Sequence, residues 1–177
     1  MPLPAPALKI PDPTDVHPTE TFLYFAYGSN LKLSEIQRTC PSAERVRRAW
    51  LPKHRLIFPR KSIGRGCGVA SIEPTEDGEV WGGVYRIAEQ ERAALESREG
   101  FKPGRPVAEN AYVPTDVTVF EDGDSARPVE SLTFVANSQP HPPKPSAEYL
   151  QLILDGGKEW DLDPDYLLAL AEIPTLP

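Results

Sequence analysis

Cysteine and long apolar runs are both scarce in this chain. Only Cys40 and Cys67 occur among 177 residues, so no disulfide framework is expected and a reduced, cytoplasmic location is predicted. No apolar stretch approaches the roughly 20 residues that a membrane-spanning helix requires, which excludes a membrane protein of that kind. The first residues have neither a basic region nor an apolar core, so no secretory signal is expected.

Positive charge is also in deficit. The 19 Lys and Arg residues stand against 26 Asp and Glu residues, which gives a formal charge of -7. A nucleic-acid partner is therefore not expected, because phosphate binding requires an excess of positive charge. The three histidines, His17, His54 and His141, are far apart in sequence. Neither they nor the cysteines have metal-ligand spacing, so no metal site is predicted.

Proline, by contrast, is abundant, with 21 residues. Six of them precede residue 19, and because proline lacks an amide donor and fixes φ, residues 1–19 are expected to be an extended tail. A second cluster over residues 140–145 predicts a stiff extended connection. The segment after it is too short to hold its own core, so residues 20–177 are expected to form a single domain.

Strand signals dominate the first two thirds of that domain. A continuous apolar run over residues 22–27 is typical of a strand covered on both faces. Asp77-Gly78 and Asp122-Gly123 are turn signals between β-prone runs. The pattern predicts about six strands, over residues 22–27, 55–58, 68–72, 79–87, 112–120 and 132–135.

Four helices are predicted around these strands. The first covers residues 33–40 and the second residues 89–99, with Gly100 as its C′ residue. Ser146 is expected to cap a third helix that ends at Gly156-Gly157, and Asp163-Pro164 to open a fourth. The fold class predicted is α+β, a small mixed and closed or nearly closed β-barrel with flanking helices.

The junction between the first strand and the first helix reads Tyr27-Gly28-Ser29-Asn30. Gly28 would let the backbone approach a ligand closely, and Ser29 or Asn30 could cap the helix. Free amides at this point suit a carboxylate or a phosphate. An ordinary turn with a helix cap explains the same residues. The junction is neither a P-loop nor a G-x-G-x-x-G loop.

Several segments together resemble the γ-glutamylcyclotransferases. The match begins with the strand and loop Phe-Leu-Tyr-Phe-Ala-Tyr-Gly-Ser-Asn-Leu and continues through a Trp-Gly strand, a Glu-Gly helix end and a Pro-Ser-x-x-Tyr motif. These segments keep the family's order over roughly residues 20–172. They lie at residues 22–31, 78–85, 95–100, 112–119, 145–149 and 156–159.

The resemblance implies a small β-barrel with flanking helices and an enzyme that cleaves a γ-glutamyl amide without water. The α-amine of the substrate attacks its own γ-carbonyl, which yields 5-oxoproline and releases an amino acid or an amine. The implied partner is a small γ-glutamyl compound, and no metal or organic cofactor is expected. Dimers occur among such proteins, so a homodimer is compatible with the resemblance.

Carried over residue by residue, the resemblance makes Glu99 the catalytic carboxylate. Its place in the last helical turn, at the negative end of the helix dipole, is expected to raise its pKa. Tyr112 is expected to hydrogen-bond the substrate or Glu99, although a half-buried strand residue fits equally. Trp81 and Tyr149 are assigned to packing. The loop that holds the γ-glutamyl head comprises Tyr27, Gly28, Ser29, Asn30 and Leu31.

The chain departs from the family pattern at two places, an insert over residues 101–110 and the absence of a tyrosine around Asn137-Ser138. Both fall where the leaving amine should lie, and Arg98, Lys102 and Arg105 are predicted to pair with a carboxylate on it.

Three alternatives remain open. One is a related cyclotransferase for glutathione, γ-glutamyl-ε-lysine or a γ-glutamyl-protected biosynthetic intermediate, and the others are a non-catalytic binding module and a hydrolase. The pair Ser29-Asn30 favours the general cyclotransferase, and Glu99 counts against the binding module.

Overall fold

Five strands close into a mixed barrel in the computed structural model, which describes residues 20–177. The tail predicted for residues 1–19 lies outside the described residues. The strand order around the barrel is β1-β3-β2-β4-β5; β5 runs parallel to β1, and the other neighbours are antiparallel. The strands are β1 (Thr21–Ala26), β2 (Glu44–Lys61), β3 (Gly68–Ala88), β4 (Tyr112–Glu121) and β5 (Pro128–Ala136). The predicted fold class is confirmed.

The strands predicted over residues 68–72 and 79–87 are both parts of β3. The barrel therefore has five strands, where about six were predicted. Asp77-Gly78 was expected to be a turn between these two predicted strands, and this is wrong. Strand pairing joins His54 to Pro74 and then Pro52 to Glu79, so residues 75–78 bulge opposite Lys53. A bulge lets a long strand bend around a barrel without ending.

The other predicted turn, Asp122-Gly123, is confirmed between β4 and β5. Both residues adopt left-handed backbone angles, with φ of 52° for Asp122 and 77° for Gly123. Aspartate and glycine are among the residues that tolerate this conformation best. The tight connection lets β4 and β5 pair from Tyr112 with Ala136 to Phe120 with Pro128.

Strand β1 is buried on both faces, as its continuous apolar run predicted. Tyr24 and Ala26 belong to one core cluster, whereas Phe25 and Tyr27 belong to the other. Because side chains alternate between the faces of a strand, β1 contributes to both cores. The loop that follows β1 therefore begins in the buried centre of the molecule.

Within residues 20–177, four α-helices flank the barrel: α1 (Leu33–Ile36), α2 (Arg92–Arg98), α3 (Ala147–Glu159) and α4 (Pro164–Ala171). The predicted caps of the last two are present, since Ser146 Oγ accepts from Tyr149 N at 3.1 Å and Asp163 Oδ1 accepts from Asp165 N at 2.8 Å. Helix α1 ends earlier than expected. None of the helices within residues 20–177 is long and apolar enough to cross a lipid bilayer.

The expected end of α3 at Gly156-Gly157 is wrong, because the helix continues to Glu159. A Cβ on Gly156 would lie 2.5 Å from the backbone nitrogen of Lys32. Glycine at this position thus permits close packing of α3 against the end of the loop that follows β1, instead of ending the helix. The packing of α3 and α4 against the barrel core supports the proposal of a single domain over residues 20–177.

Candidate active site

The loop after β1 is anchored through Leu31. The chain forms a short 3-10 turn over Ser29–Leu31, and the Leu31 carbonyl accepts hydrogen bonds from Tyr85 Oη and Trp160 Nε1, each at 2.8 Å. The Leu31 side chain is only 1% exposed. Neither Ser29 nor Asn30 caps a helix through its side chain, contrary to the prediction, because Gly28 and Lys32 occupy the N-cap positions. Ser29 and Asn30 instead face the cavity described below.

Gly28 lies where the loop after β1 packs closely against Ala70 and Tyr149. Its φ of -107° is accessible to any residue. A Cβ there would stand 3.2 Å from the Cβ of Ala70 in β3 and 3.6 Å from Tyr149 Oη. Glycine thus brings the loop against β3 and α3, since a side chain would push them apart.

Glu99 is fixed by the end of α2. It is the C-cap residue, and Gly100 follows with a φ of 74°. Gly100 N donates to Ser97 O at 3.0 Å and Phe101 N donates to Glu96 O at 2.9 Å, which is a Schellman motif with glycine at C′, as predicted. The Glu99 carbonyl then accepts from Tyr112 N at 3.2 Å. The end of α2 and the start of β4 therefore hold each other in place.

The Glu99 carboxylate is joined to the loop by Asn30. Asn30 Nδ2 donates to Glu99 Oε1 at 3.0 Å and to Tyr24 Oη at 3.0 Å. Burial raises the pKa of Glu99 above its usual range, and this effect exceeds the opposing influence of Arg98, the Asn30 hydrogen bond and Arg65. The main cause of the raised pKa is thus the burial of the carboxylate. A carboxyl group with a raised pKa is better able to accept a proton and then return it.

Tyrosine hydroxyls surround this carboxylate. Tyr112 Oη donates to the Ala70 carbonyl at 2.6 Å, and Ala70 N donates to Tyr149 Oη at 3.0 Å. Tyr27 Oη donates to the carbonyl of Phe134. Burial raises the pKa of Tyr27 and Tyr112, and it raises that of Tyr149 to about 12, so all three remain neutral. The hydroxyl proton of Tyr112 is directed to Ala70 and not to Glu99.

An inner recess of about 50 Å³ adjoins an outer cavity of about 420 Å³. Glu99 lies at the junction, because it lines both spaces. The other residues that line both the recess and the outer cavity are Ser29, Asn30, Tyr112 and Tyr149. The recess alone is lined by Tyr24, Tyr27, Gly28, Ala70 and Phe134. The walls of the outer cavity include the basic residues Arg60, Lys61, Arg65 and Arg98.

Comparison with known proteins decides the family. A model of the AIG2-like family matches residues 79–170. The chain is 34% identical over 158 residues to a γ-glutamylcyclotransferase from Bos taurus, which covers 87% of this chain and 79% of that protein. The chain belongs to the γ-glutamylcyclotransferase family. The chain is also 34% identical, over 155 residues, to a γ-glutamylcyclotransferase from Mus musculus. That alignment covers 83% of this chain and 76% of the mouse protein.

The fold agrees with that assignment. A solved structure described as a γ-glutamyl cyclotransferase superposes with a TM-score of 0.78 at 30% identity, covering 89% of this chain and 90% of the other. The family resemblance inferred from the sequence motifs is thereby confirmed. Across the described residues, no cluster of three or more His, Cys, Asp or Glu side chains is arranged to hold a metal ion.

The structure brings together most of the site residues that the γ-glutamylcyclotransferase motifs suggested. Tyr27 and Gly28 line the recess, whereas Ser29, Asn30, Glu99 and Tyr112 line both spaces. Leu31 lines neither and instead packs in the core.

The basic residues chosen from the sequence are separated. Arg98 lines the outer cavity, but Lys102 and Arg105 line a different surface pocket. The insert that carries them is closed by Asn110, whose Oδ1 accepts from Lys102 N at 3.0 Å. Arg98 is also committed elsewhere, since its Nη1 donates to the Glu35 carbonyl at 2.7 Å. Lys102 and Arg105 therefore do not face the candidate site.

Sequence reasoning missed four residues of the site. Tyr149 was assigned to packing, and it is indeed 5% exposed, yet its ring lines both spaces. Its place in the Pro-Ser-x-x-Tyr motif was the available signal. Tyr24 lies in the same apolar run as the signature loop. Arg60 and Arg65 carry no local signal, because only the closure of the barrel brings them near Glu99.

Proposed function

We propose that this chain is a γ-glutamylcyclotransferase in which Glu99 is the general acid and base. The α-amino nitrogen of the substrate attacks the γ-carbonyl carbon and forms a new C–N bond. The original amide C–N bond breaks, 5-oxoproline is released, and the departing amine takes up the proton that the attacking nitrogen lost. The observation that carries the proposal is the Glu99 carboxylate, which adjoins the signature loop at the junction of recess and cavity.

Glu99 would transfer the proton between the two nitrogens. An ionised Glu99 accepts a proton from the α-ammonium group, and the resulting acid returns it to the leaving nitrogen. Burial of Glu99 raises its pKa and so brings it closer to the pKa of the substrate amine. A smaller difference between the two pKa values makes proton transfer easier both to Glu99 and from it. The hydrogen bond from Asn30 holds the carboxylate in one orientation meanwhile.

The loop would hold the glutamyl head. The backbone amides of Ser29 and Asn30 donate to no acceptor within residues 20–177, and they could therefore pair with the α-carboxylate or with the developing oxyanion. Asn30 Oδ1 is buried and has no hydrogen-bonding partner in that same part of the chain. An ammonium group is a donor that would satisfy it.

Tyrosines complete the proposed binding surface. The hydroxyl oxygens of Tyr27 and Tyr112 donate their protons to carbonyl groups, so these oxygens remain acceptors for the substrate ammonium. Tyr149 accepts from Ala70 N, which leaves its own proton as a donor to the substrate. Leu31 contributes by anchoring the loop through its carbonyl.

The activity is tested by incubating the purified protein with a panel of γ-glutamyl amino acids, glutathione and γ-glutamyl-ε-lysine. Mass spectrometry should detect 5-oxoproline and the released amine in equal amounts from at least one compound. Formation of glutamate in place of 5-oxoproline would indicate a hydrolase, and ligand-induced stabilisation without any product would indicate a binding module.

We also propose a reduced, cytoplasmic location and small-molecule partners only. Cys40 and Cys67 are both buried and free, which supports the first point, and the net charge of -7 argues against nucleic-acid binding. A homodimer remains a prediction from the family resemblance.

A further inference from the structure

Glu35 is a nearly buried carboxylate that lines neither the recess nor the outer cavity. It lies in α1 and is only 8% exposed. Its Oε1 lies 3.3 Å from Arg38 Nη1, and its Oε2 lies 2.9 Å from Arg65 Nη2 and 3.7 Å from Arg98 Nη2. Burial alone would raise the pKa of Glu35, but Arg65 and Arg38 together lower it. Glu35 is therefore ionised at neutral pH and serves three guanidinium groups at once.

Of the two arginines that Glu35 shares with the outer cavity, Arg65 depends more on its carboxylate. Arg98 has further anchors, because its Nη1 donates to the Glu35 carbonyl at 2.7 Å and to Thr39 Oγ1 at 2.9 Å. Within residues 20–177, the guanidinium group of Arg65 donates a hydrogen bond to Glu35 Oε2 alone. Its guanidinium carbon also lies 5.1 Å from the centre of the Tyr149 ring. Loss of the Glu35 charge would thus release Arg65 and leave Arg98 in place.

Glu99 is the carboxylate that a released Arg65 would meet. The cations that line the outer cavity are Arg60, Lys61, Arg65 and Arg98. Among the lining residues, all within the described part of the chain, Glu99 is the single acidic one. The charge of Arg65 already lowers the pKa of Glu99, but less than Arg98 and the Asn30 hydrogen bond do. An arginine beside a carboxylate forms strong charge-assisted hydrogen bonds, so a direct pair would hold Glu99 in its ionised form.

The other ionisable groups around Glu99 do not compete for this role. They remain neutral at neutral pH because burial raises their pKa; they are Tyr24, Tyr27, Cys40, Tyr112 and Tyr149. The position of the Arg65 guanidinium is therefore the variable that Glu35 controls.

We infer that Glu35 is a positioning residue, which holds the guanidinium group of Arg65 against the Tyr149 ring and so keeps it from pairing with the Glu99 carboxylate. This inference rests on the proposed function and adds to it a residue that acts through Arg65 without touching the substrate. An ion pair with Arg65 would make Glu99 a weaker base toward the α-ammonium group. Glu35 thus preserves the proton exchange that is proposed for Glu99.

The test is a double-mutant cycle of Glu35→Gln and Arg65→Gln, read from the acidic limb of the pH profile of kcat/KM for 5-oxoproline release. Glu99 must be ionised to accept a proton, so a lower pKa moves this limb to lower pH. With Arg65 present, Glu35→Gln should move it by about one pH unit or more, since an adjacent arginine lowers a carboxyl pKa by about 1–3. In the Arg65→Gln background, Glu35→Gln should move it much less. Equal movements in both backgrounds would overturn the inference, because Glu35 would then act by its own charge.

Two single variants make the test specific. Arg38→Gln is the matched control, because Arg38 pairs with the same carboxylate but lines neither space. It should leave the limb in place, and a movement as large as that of Glu35→Gln would contradict the role of Arg65. Arg65→Gln alone decides the matter should Glu35→Gln fail to fold. It should raise the limb only slightly, whereas a rise of about one pH unit or more would mean that Arg65 already pairs with Glu99 and would overturn the inference.

An NMR titration of the Glu99 side-chain carboxyl carbon separates this inference from the proposed function, because it needs no substrate. The resonance is assigned by its absence from the Glu99→Gln variant. Its midpoint should fall in Glu35→Gln and return in the double variant to the value of Arg65→Gln. An unchanged midpoint in folded Glu35→Gln would overturn the positioning role even if 5-oxoproline is formed. A lowered midpoint without any 5-oxoproline from the wild type would support the placement of Arg65 and overturn the proposed function alone.

Discussion

The side-chain amide of Asn30 donates a hydrogen bond of 3.0 Å to Oε1 of Glu99, although the two residues are 69 positions apart in the chain. The bond joins the loop after β1 to the end of α2. The residues proposed to hold the substrate are thus linked directly to the carboxylate proposed to move its proton. A substitution of Asn30 should therefore change the proton-transfer properties of Glu99, and a substitution of Glu99 should change the position of Asn30.

Replacing Asn30 by Ala should lower kcat by roughly 10- to 100-fold, because a hydrogen bond to a charged group contributes about 1.5–3 kcal/mol. The Asn30 hydrogen bond lowers the pKa of Glu99 against the larger effect of burial, so its loss should raise that pKa further. The acidic limb of the pH–rate profile should consequently move to higher pH. Tyr24→Phe, which keeps the bond between Asn30 and Glu99, is the control and should move the limb less. An unmoved limb in Asn30→Ala would contradict the assignment.

Glu99 should also reduce stability at neutral pH. Because its pKa is raised in the folded state, the folded protein binds more protons than the unfolded chain, and stability falls as pH rises through that pKa. Glu99→Gln removes this term. The melting temperature of the variant should exceed that of the wild type at pH 7–8, and the difference should shrink under acidic conditions. For a chain of this length, each 1 kcal/mol corresponds to about 2–4 °C. A difference that is independent of pH would be contrary to burial as the cause.

Gly28→Ala tests the close approach of the loop to β3. The added methyl would stand 3.2 Å from Ala70 Cβ, a contact that must be relieved by a small displacement of the loop. A misplacement of about 1 Å can cost about 100-fold in rate, so for this smaller displacement we expect kcat/KM to fall by roughly threefold to tenfold, with little change in the melting temperature. Activity at the wild-type level would mean that the loop position does not matter.

The glycine pair in α3 allows a matched test of packing. Alanine usually stabilises a helix interior by about 1 kcal/mol relative to glycine. At Gly156 the new Cβ would lie 2.5 Å from Lys32 N, a backbone atom, whereas at Gly157 it would meet Leu167 Cδ2, also at 2.5 Å. A leucine side chain can rotate away. We therefore expect Gly156→Ala to destabilise by about 1–3 kcal/mol and Gly157→Ala to cost less, as measured by denaturant unfolding. The reverse order would be inconsistent with the packing described.

Local chemistry was sufficient to predict several elements. Three of them depend only on neighbouring residues: the continuous apolar run of β1, the end of α2 at Gly100 and the helix cap at Asp163. Each lies where the sequence predicted it. Local signals misled where tertiary contacts decided the outcome. Asp77-Gly78 became a bulge because β2 and β3 continue to pair around it, and Gly156 stayed helical because α3 packs against Lys32.

The candidate site divides in the same way. Residues 27–30 form a contiguous motif, and the family resemblance supplied Glu99. Arg60 and Arg65 could not be assigned to the outer cavity from the sequence, because they approach it only after β2 and β3 have paired and the barrel has closed. Lys102 and Arg105 were chosen for their proximity to Glu99 in the chain, but the turn at Gly100 directs the insert away from it.

The most direct measurement of the central claim is 5-oxoproline release by the wild type, Glu99→Gln and Glu96→Gln in water enriched in ¹⁸O. Glu96 lies on the same helix and lines a different pocket, so it controls for loss of an acidic group. We expect unlabelled 5-oxoproline from the wild type and from Glu96→Gln, and none from a folded Glu99→Gln variant. Labelled glutamate as the product, or near-native turnover by Glu99→Gln, would contradict it.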